Sequence, residues 1–269
     1  MSRNFKIALC QMAVTSDKEQ NQRRAAEIVE EAVRGGGSIV CLPELWNSPY
    51  EVKRFAEYAE TAEGPSASLM SGLACKHGIY LIGGSIPERA TGPDGKDLVY
   101  NTSFVFDPSG ALIARHRKIN LFDINIERVL DFKESNFFAA GKDITVFDTG
   151  FGKMGLAICF DLRFPEMFWE MAKEGALLVF LPAAFNMNTG SAHWDTLVRS
   201  RALDNQFYLA ACAPARNLSA SFISWSHSCV ATPWGEYCAA ADSRETTIHA
   251  QIDMDYLQKI RRELPIGYQ

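Results

Sequence analysis

Residues 155–182, "GLAICFDLRFPEMFWEMAKEGALLVFLP", decide how the chain is read. The apolar run "GLAI" leads into Cys159, and a charged turn, Asp161 to Glu166, follows it. Proline near the start of "RFPEMFWEMAKEG" suits the first turn of a helix, where its missing N–H has no partner to lose, and Gly175 ends that helix. "ALLVFLP" is then a continuous apolar run of strand length. A strand that is apolar at every position must be covered on both faces, so strand, helix and strand in this order predict an α/β unit.

The same pattern stands nearer the N-terminus. "FKIALCQ" reads as a strand, and "SDKEQNQRRAAEIVEEAVRGGG" as a helix opened by a capping box of Ser16 and Glu19. Ile28, Val29, Ala32 and Val33 supply its apolar face, three glycines end it, and "SIVCLP" is the next buried strand. Helix, glycine, apolar strand and Leu-Pro thus occur twice, which predicts two similar α/β halves within a single domain spanning residues 1–269. Antiparallel hairpins are predicted where "NTSFVFDPSGALIARHRK" turns at "DPSG", where "SCVATPWGEYCAA" turns at "PWGE", and in "TVFDTGFGKMGLAIC". "GFGKMG" spells a dinucleotide fingerprint but leads into a strand instead of opening a helix, so it reads as a hairpin turn. Ile119 to Asp143 is the least regular stretch, and a long irregular segment in a compact domain is a functional candidate.

With 269 residues, 47% of them hydrophobic, the chain can bury a sizeable core. The net charge of -5 without any Lys/Arg run argues against nucleic acid or a membrane surface as partner and leaves a small molecule or another subunit. The first apolar run is too short for a signal or membrane segment, so a cytoplasmic protein is expected. Seven cysteines form no C-x-x-C pair and five histidines no H-x-x-x-H pair, so neither disulfides nor a metal nor any other cofactor is expected. The glycosylation sequons at Asn101 and Asn217 read as chance.

Three polar residues end apolar strands abruptly: Glu44 after "SIVCLP", Lys118 after "ALIARHR" and Cys159 after "GLAI". Singly, each has a structural reading as a helix-start acid, a solvated lysine or a packed thiol. Together, a carboxylate, an ammonium and a thiol on rigid strand ends make a reactive mixed-charge site possible. Polar or aromatic residues beside them complete the candidate list. Phe185, Asn186 and Met187 follow the second Leu-Pro strand where Glu44 follows the first, and are placed as substrate lining. Tyr50 in "NSPY" is placed at the mouth of the site. Arg163 has two readings, a clamp for a substrate carboxylate or a tie that fixes the turn through Asp161 or Glu166, and the second is favoured.

The blocks "CLPELW", "RHRKINLFD" and "GLAICFDLRFPE" resemble, in chain order, the three motif blocks of the nitrilase superfamily of carbon-nitrogen hydrolases, whose signature is a Glu-Lys-Cys triad. The likeness covers essentially the whole chain. "NSPY", "LFDINI", "FKES", "FNMNTGSAHW", "RALDNQFYLAACAPARN" and "SWSHSCVATPWGE" bring it nearest to the omega-amidase, Nit2-like branch. The resemblance implies a four-layer αββα sandwich with two mixed β-sheets and a homodimer or larger homo-oligomer assembled through outer helices. It implies Cys159 as nucleophile, Glu44 as general base, and Lys118 with the backbone N–H of Phe160 as oxyanion donors. Glu134 in "FKES" matches a second glutamate beside the lysine, with Glu127 as its competitor. The implied reaction is hydrolysis of the terminal amide of 2-oxoglutaramate and 2-oxosuccinamate. Deaminated-glutathione or N-carbamoyl-amine hydrolysis is the enzyme alternative, and an inactive binding protein on the same fold is the other.

Overall fold

Parallel strands joined by helices build both halves of the computed structural model, which describes residues 4–92, 94–127 and 130–266. In the first half, β1 (Phe5–Gln11), β2 (Ile39–Cys41) and β3 (Tyr80–Ile82) run parallel, with α1 (Lys18–Arg34), the short α2 (Phe55–Tyr58) and α3 (Pro65–His77) between them. The antiparallel strands β4 (Ile86–Thr91), β5 (Asp97–Phe106) and β6 (Leu112–Arg117) extend the sheet on one side, and β15 (Thr246–Ile252) pairs with β1 on the other. In the second half, β9 (Thr145–Thr149) and β10 (Gly152–Leu156) form a hairpin, and β10, β11 (Leu178–Pro182) and β12 (Tyr208–Cys212) run parallel through α4 (Pro165–Lys173) and α5 (Met187–Asn205). β13 (Cys229–Ala231) and β14 (Tyr237–Ala240) close that sheet antiparallel. The repeated sequence pattern is thus a repeated parallel unit, and "GFGKMG" is the β9–β10 turn with the start of β10.

Side-chain alternation makes the layers. Along β1, Phe5, Ile7 and Leu9 point into a core shared with Leu156, Phe180 and Tyr208 of the second sheet, while Ala8 and Cys10 face α1 and α3. The second sheet turns Val179, Leu181 and Leu209 toward α4 and α5. The result is helix, sheet, sheet, helix, the sandwich the resemblance implied. Each large apolar side chain moved fully out of water in these layers contributes roughly 1.5–3 kcal/mol. The last helix, α6 (Met254–Glu263), adds Met254 and Leu257 to the core between the sheets.

Three local readings change. The N-cap of α1 is Asp17, whose carboxylate accepts from Gln20 N, and not Ser16; a short acid at this position also meets the positive end of the helix dipole. Strand β10 ends at Leu156, so Cys159 does not end a strand but heads a 3-10 turn, Cys159–Arg163. The irregular stretch after Ile119 contains a two-stranded hairpin, β7 (Asp123–Ile126) and β8 (Leu130–Lys133); its residues 128 and 129 lie outside the described residues.

Candidate active site

Four loop ends meet at the same end of the sandwich. Glu44 lies just past β2, in a turn stitched to the segment before β4: Ser85 N donates to Pro43 O at 3.1 Å, and Leu45 N donates to Ser85 Oγ at 3.0 Å. Leu45 takes a left-handed φ of 51° in this turn. Lys118 follows β6, and its backbone is held by Asn101 O at 2.9 Å and by Gly141 N at 2.8 Å. The β7–β8 hairpin carries Glu134 in a 3-10 turn, Glu134–Asn136, pinned where Asp123 accepts from Ser135 N and Oγ. Cys159 has a left-handed φ of 48° at the head of its turn, a conformation a non-glycine residue holds only when its surroundings enforce it.

These residues form one buried charge cluster. Lys118 Nζ lies 3.2 Å from Glu44 Oε1 and 2.8 Å from Glu134 Oε2, with all three side chains sealed from solvent. Such a cluster survives burial only if every acceptor is satisfied. Glu44 Oε1 also accepts from Asn101 Nδ2 at 2.9 Å and Oε2 from Ala184 N at 2.7 Å, while Glu134 Oε2 accepts from Phe122 N at 2.6 Å. The bond from Ala184 to Glu44 joins the two Leu-Pro strand ends that the sequence repeat contains.

The electrostatics follow from this packing. Burial pushes the Cys159 thiol well above its usual range, the Glu44 charge adds to that, and Lys118 pulls it back. Burial opposes the Lys118 charge, but the carboxylates of Glu134 and Glu44 outweigh it and hold the ammonium well above the ordinary lysine range. Glu134 is raised by burial and by Glu44, against the pull of Lys118. The site therefore rests with a neutral thiol beside a charged lysine.

A cavity of about 300 Å³ opens onto Glu44 and is lined by Ser48, Tyr50, Ala184, Ser219 and Phe222 among others. Tyr50 stacks on Phe222 at 4.2 Å between ring centroids. Ala184 also lines a narrow cleft beside Cys159, whose walls include Phe122, Phe160, Arg163 and Phe185. Asn186 and Met187 line neither space: Asn186 caps α5 by accepting from Thr189 N at 2.8 Å, and Met187 is the first residue of that helix. Glu134 is buried beside Lys118, whereas Glu127 is exposed.

Arg163 does not tie the turn through Asp161, the reading the sequence favoured. Asp161 is held by His116 and Asn120, and Glu166 is exposed at the start of α4. Arg163 instead lies over the rings of Phe160 and Phe185, at 5.4 and 5.2 Å, with Nη2 3.2 Å from His193 Nδ1. Burial lowers its pKa, and its buried Nε has no hydrogen-bond partner among the described residues. Asn101, read in the sequence only as a chance sequon, is fully buried and donates to Glu44 Oε1. A polar residue inside the apolar strand "NTSFVF" was the signal available for it.

A family model for carbon-nitrogen hydrolase matches residues 6–262. The omega-amidase NIT2 of Xenopus tropicalis is 47% identical over 265 residues, covering 98% of this chain and 94% of that protein. The omega-amidase NIT2 of Homo sapiens is 44% identical over 263 residues, with 98% and 94% covered. Among solved structures, Saccharomyces cerevisiae Nit3, a member of branch 10 of the nitrilase superfamily, superposes with a TM-score of 0.90 at 39% identity, covering 98% of this chain and 95% of that one.

Proposed function

The chain belongs to the carbon-nitrogen hydrolase family, and from that premise we propose that it is an omega-amidase, releasing ammonia from the terminal amide of 2-oxoglutaramate and 2-oxosuccinamate. The observation that carries the reading is the buried meeting of a neutral thiol with one carboxylate and one ammonium. A thiol held neutral needs a base at the moment of attack, and Glu44, bonded to the N–H of Ala184 in the wall of the Cys159 cleft, is the carboxylate at hand.

Cys159 Sγ attacks the amide carbon while Glu44 takes its proton. Lys118 Nζ and the N–H of Phe160 face the oxyanion that forms. Glu44 then passes the proton to the departing nitrogen, the C–N bond breaks, and ammonia leaves behind a thioester. Water activated by Glu44 hydrolyses the thioester and frees the 2-oxo dicarboxylic acid. Glu134, with two contacts to Lys118 Nζ at 3.1 and 2.8 Å, keeps that ammonium charged and aimed.

Arg163 supports the substrate class. Among the described residues lining the cavity and the cleft it is the one Lys or Arg, and it stands beside Cys159 where the far carboxylate of a short monoamide can be paired. An ammonia-release assay on both monoamides and a small amide panel tests the reading. If 2-oxoglutaramate gives no ammonia while a peptide-like amide does, the branch is wrong and amide hydrolysis stands. If no amide reacts, the enzyme reading fails.

The whole chain is read as one catalytic domain, working as a cytoplasmic homodimer. No helix among the described residues is long and apolar enough to cross a membrane. Phe164 and Trp169, at the start of and within α4, Leu203 on α5 and Trp234 are exposed large apolar side chains on or beside the outer helices of the second sheet, which supports assembly through that face.

A further inference from the structure

A buried polar pair beside the site takes no part in the mechanism. Asp161 and His116 are both fully removed from solvent, Asp161 two positions after Cys159 and His116 two positions before Lys118. Asp161 Oδ1 accepts from Asn120 N at 2.8 Å and from Asn120 Nδ2 at 2.9 Å. Asp161 Oδ2 accepts from Ile158 N at 3.0 Å and lies 3.1 Å from His116 Nε2. A carboxylate that accepts backbone N–H bonds on both oxygens acts as an acceptor only, so His116 Nε2 is the donor in this pair. The other ring nitrogen of His116 lies 3.0 Å from Thr145 Oγ1, at the start of β9.

One carboxylate thus ties residues on both sides of Lys118, His116 and Asn120, to Ile158, the residue before Cys159. We infer that Asp161, with His116 as its donor, is the positioning unit that sets the separation of the Lys118 ammonium from the Cys159 thiol. Neither residue touches the reacting atoms; both act through the backbone that carries them. The need for such a unit is visible in the left-handed φ of 48° at Cys159, where the chain would relax if the turn were not held. Lys118 follows a strand of the first sheet and Cys159 a strand of the second, so no strand pairing among the described residues joins them. The alternative is a polar pair that only stabilises the fold, and it makes a different prediction: fewer folded molecules, each of normal activity.

The inference rests on Cys159 and Lys118 being the reacting groups, so its test includes a readout that needs no amide. Asp161→Asn, His116→Ala and His116→Gln are compared with the unaltered chain. Ammonia release is expressed per Cys159 thiol counted by stoichiometric labelling, and the rate of Cys159 alkylation by iodoacetamide is followed separately. Asp161→Asn and His116→Ala are expected to lose about 100-fold in kcat per labelled thiol with KM changed less than about threefold, because roughly 1 Å of misplacement costs that much. Alkylation should slow about fivefold or more at pH 8 as Lys118 leaves the thiol. His116→Gln, whose amide nitrogen can still donate to Asp161, should recover to within about tenfold of the unaltered chain.

Unchanged kcat per labelled thiol in the variants overturns the inference, as does His116→Gln behaving no better than His116→Ala. If Asp161→Asn does not fold, the two His116 variants decide. If the unaltered chain hydrolyses no amide, the alkylation rates still decide this inference, and only the amidase reading is lost.

Discussion

Two carboxylates share one ammonium inside the protein at Glu44, Lys118 and Glu134, and the excess negative charge falls on the neighbouring thiol. The pH behaviour follows in sign. Cys159 is pushed up by burial and then by Glu44, so its thiolate is present only above its raised midpoint and is lost as pH falls. Glu44→Gln removes the second of these causes while Lys118 stays, so the midpoint of Cys159 alkylation against pH should move down. Amide turnover in the same variant should fall by about 10²- to 10⁴-fold for want of the base. A variant that alkylates with an unmoved or raised midpoint would contradict this account of the thiol. Glu134→Gln keeps the shape but loses the charge beside Lys118, and turnover should drop roughly 100-fold with circular dichroism unchanged. Near-normal activity there would remove Glu134 from the site. Arg163→Gln separates binding from chemistry: kcat/KM for 2-oxoglutaramate should fall about 10- to 100-fold, the worth of a hydrogen bond to a charged group, while a neutral amide of similar size loses little. Equal losses for both substrates would mean that Arg163 does not read the carboxylate.

At the scale of the element, the candidate site side chains sit just beyond the strands, in turns whose backbone is bound to a neighbouring segment. The Glu44 turn depends on Gly84, which has φ 59° and whose added Cβ would lie 2.1 Å from Pro43 O. Gly84→Ala therefore cannot be absorbed by a side-chain shift. We expect a loss of about 1–3 kcal/mol in urea unfolding, with kcat falling further than the loss of folded protein explains, since the displaced strand end carries Glu44. Unchanged activity in the folded fraction would show that the turn tolerates the shift. The β7–β8 hairpin plays the same part for Glu134: Asp123 on β7 fixes the turn through Ser135, so two short strands outside both main sheets hold this carboxylate.

At the scale of the molecule, the exposed Phe164, Trp169, Leu203 and Trp234 predict a dimer in solution at micromolar concentration by sedimentation, and a monomer alone would count against assembly through that face. The two α/β halves were legible in the chain because periodicity is local: "IVCLP" and "ALLVFLP" are apolar at every position and become parallel strands buried on both faces. Glu44, Lys118 and Cys159 could be marked because each interrupts an apolar run. The helix cap falls at Asp17, one residue past Ser16, and β10 stops at Leu156, short of Cys159, since neighbouring polar side chains compete for the same backbone donors and an apolar run does not show where pairing stops. Ala184 N and the Asp161–His116 pair could not be found this way, nor could the place of Arg163. Sequence by itself determined the repeated strand–helix–strand units, the hairpins and the three candidate residue types, all of which are set by neighbours along the chain. Only the tertiary structure decided which groups meet, because the distance between a carboxylate on one sheet and a thiol on the other depends on the packing of the two sheets and on the turns that bridge them.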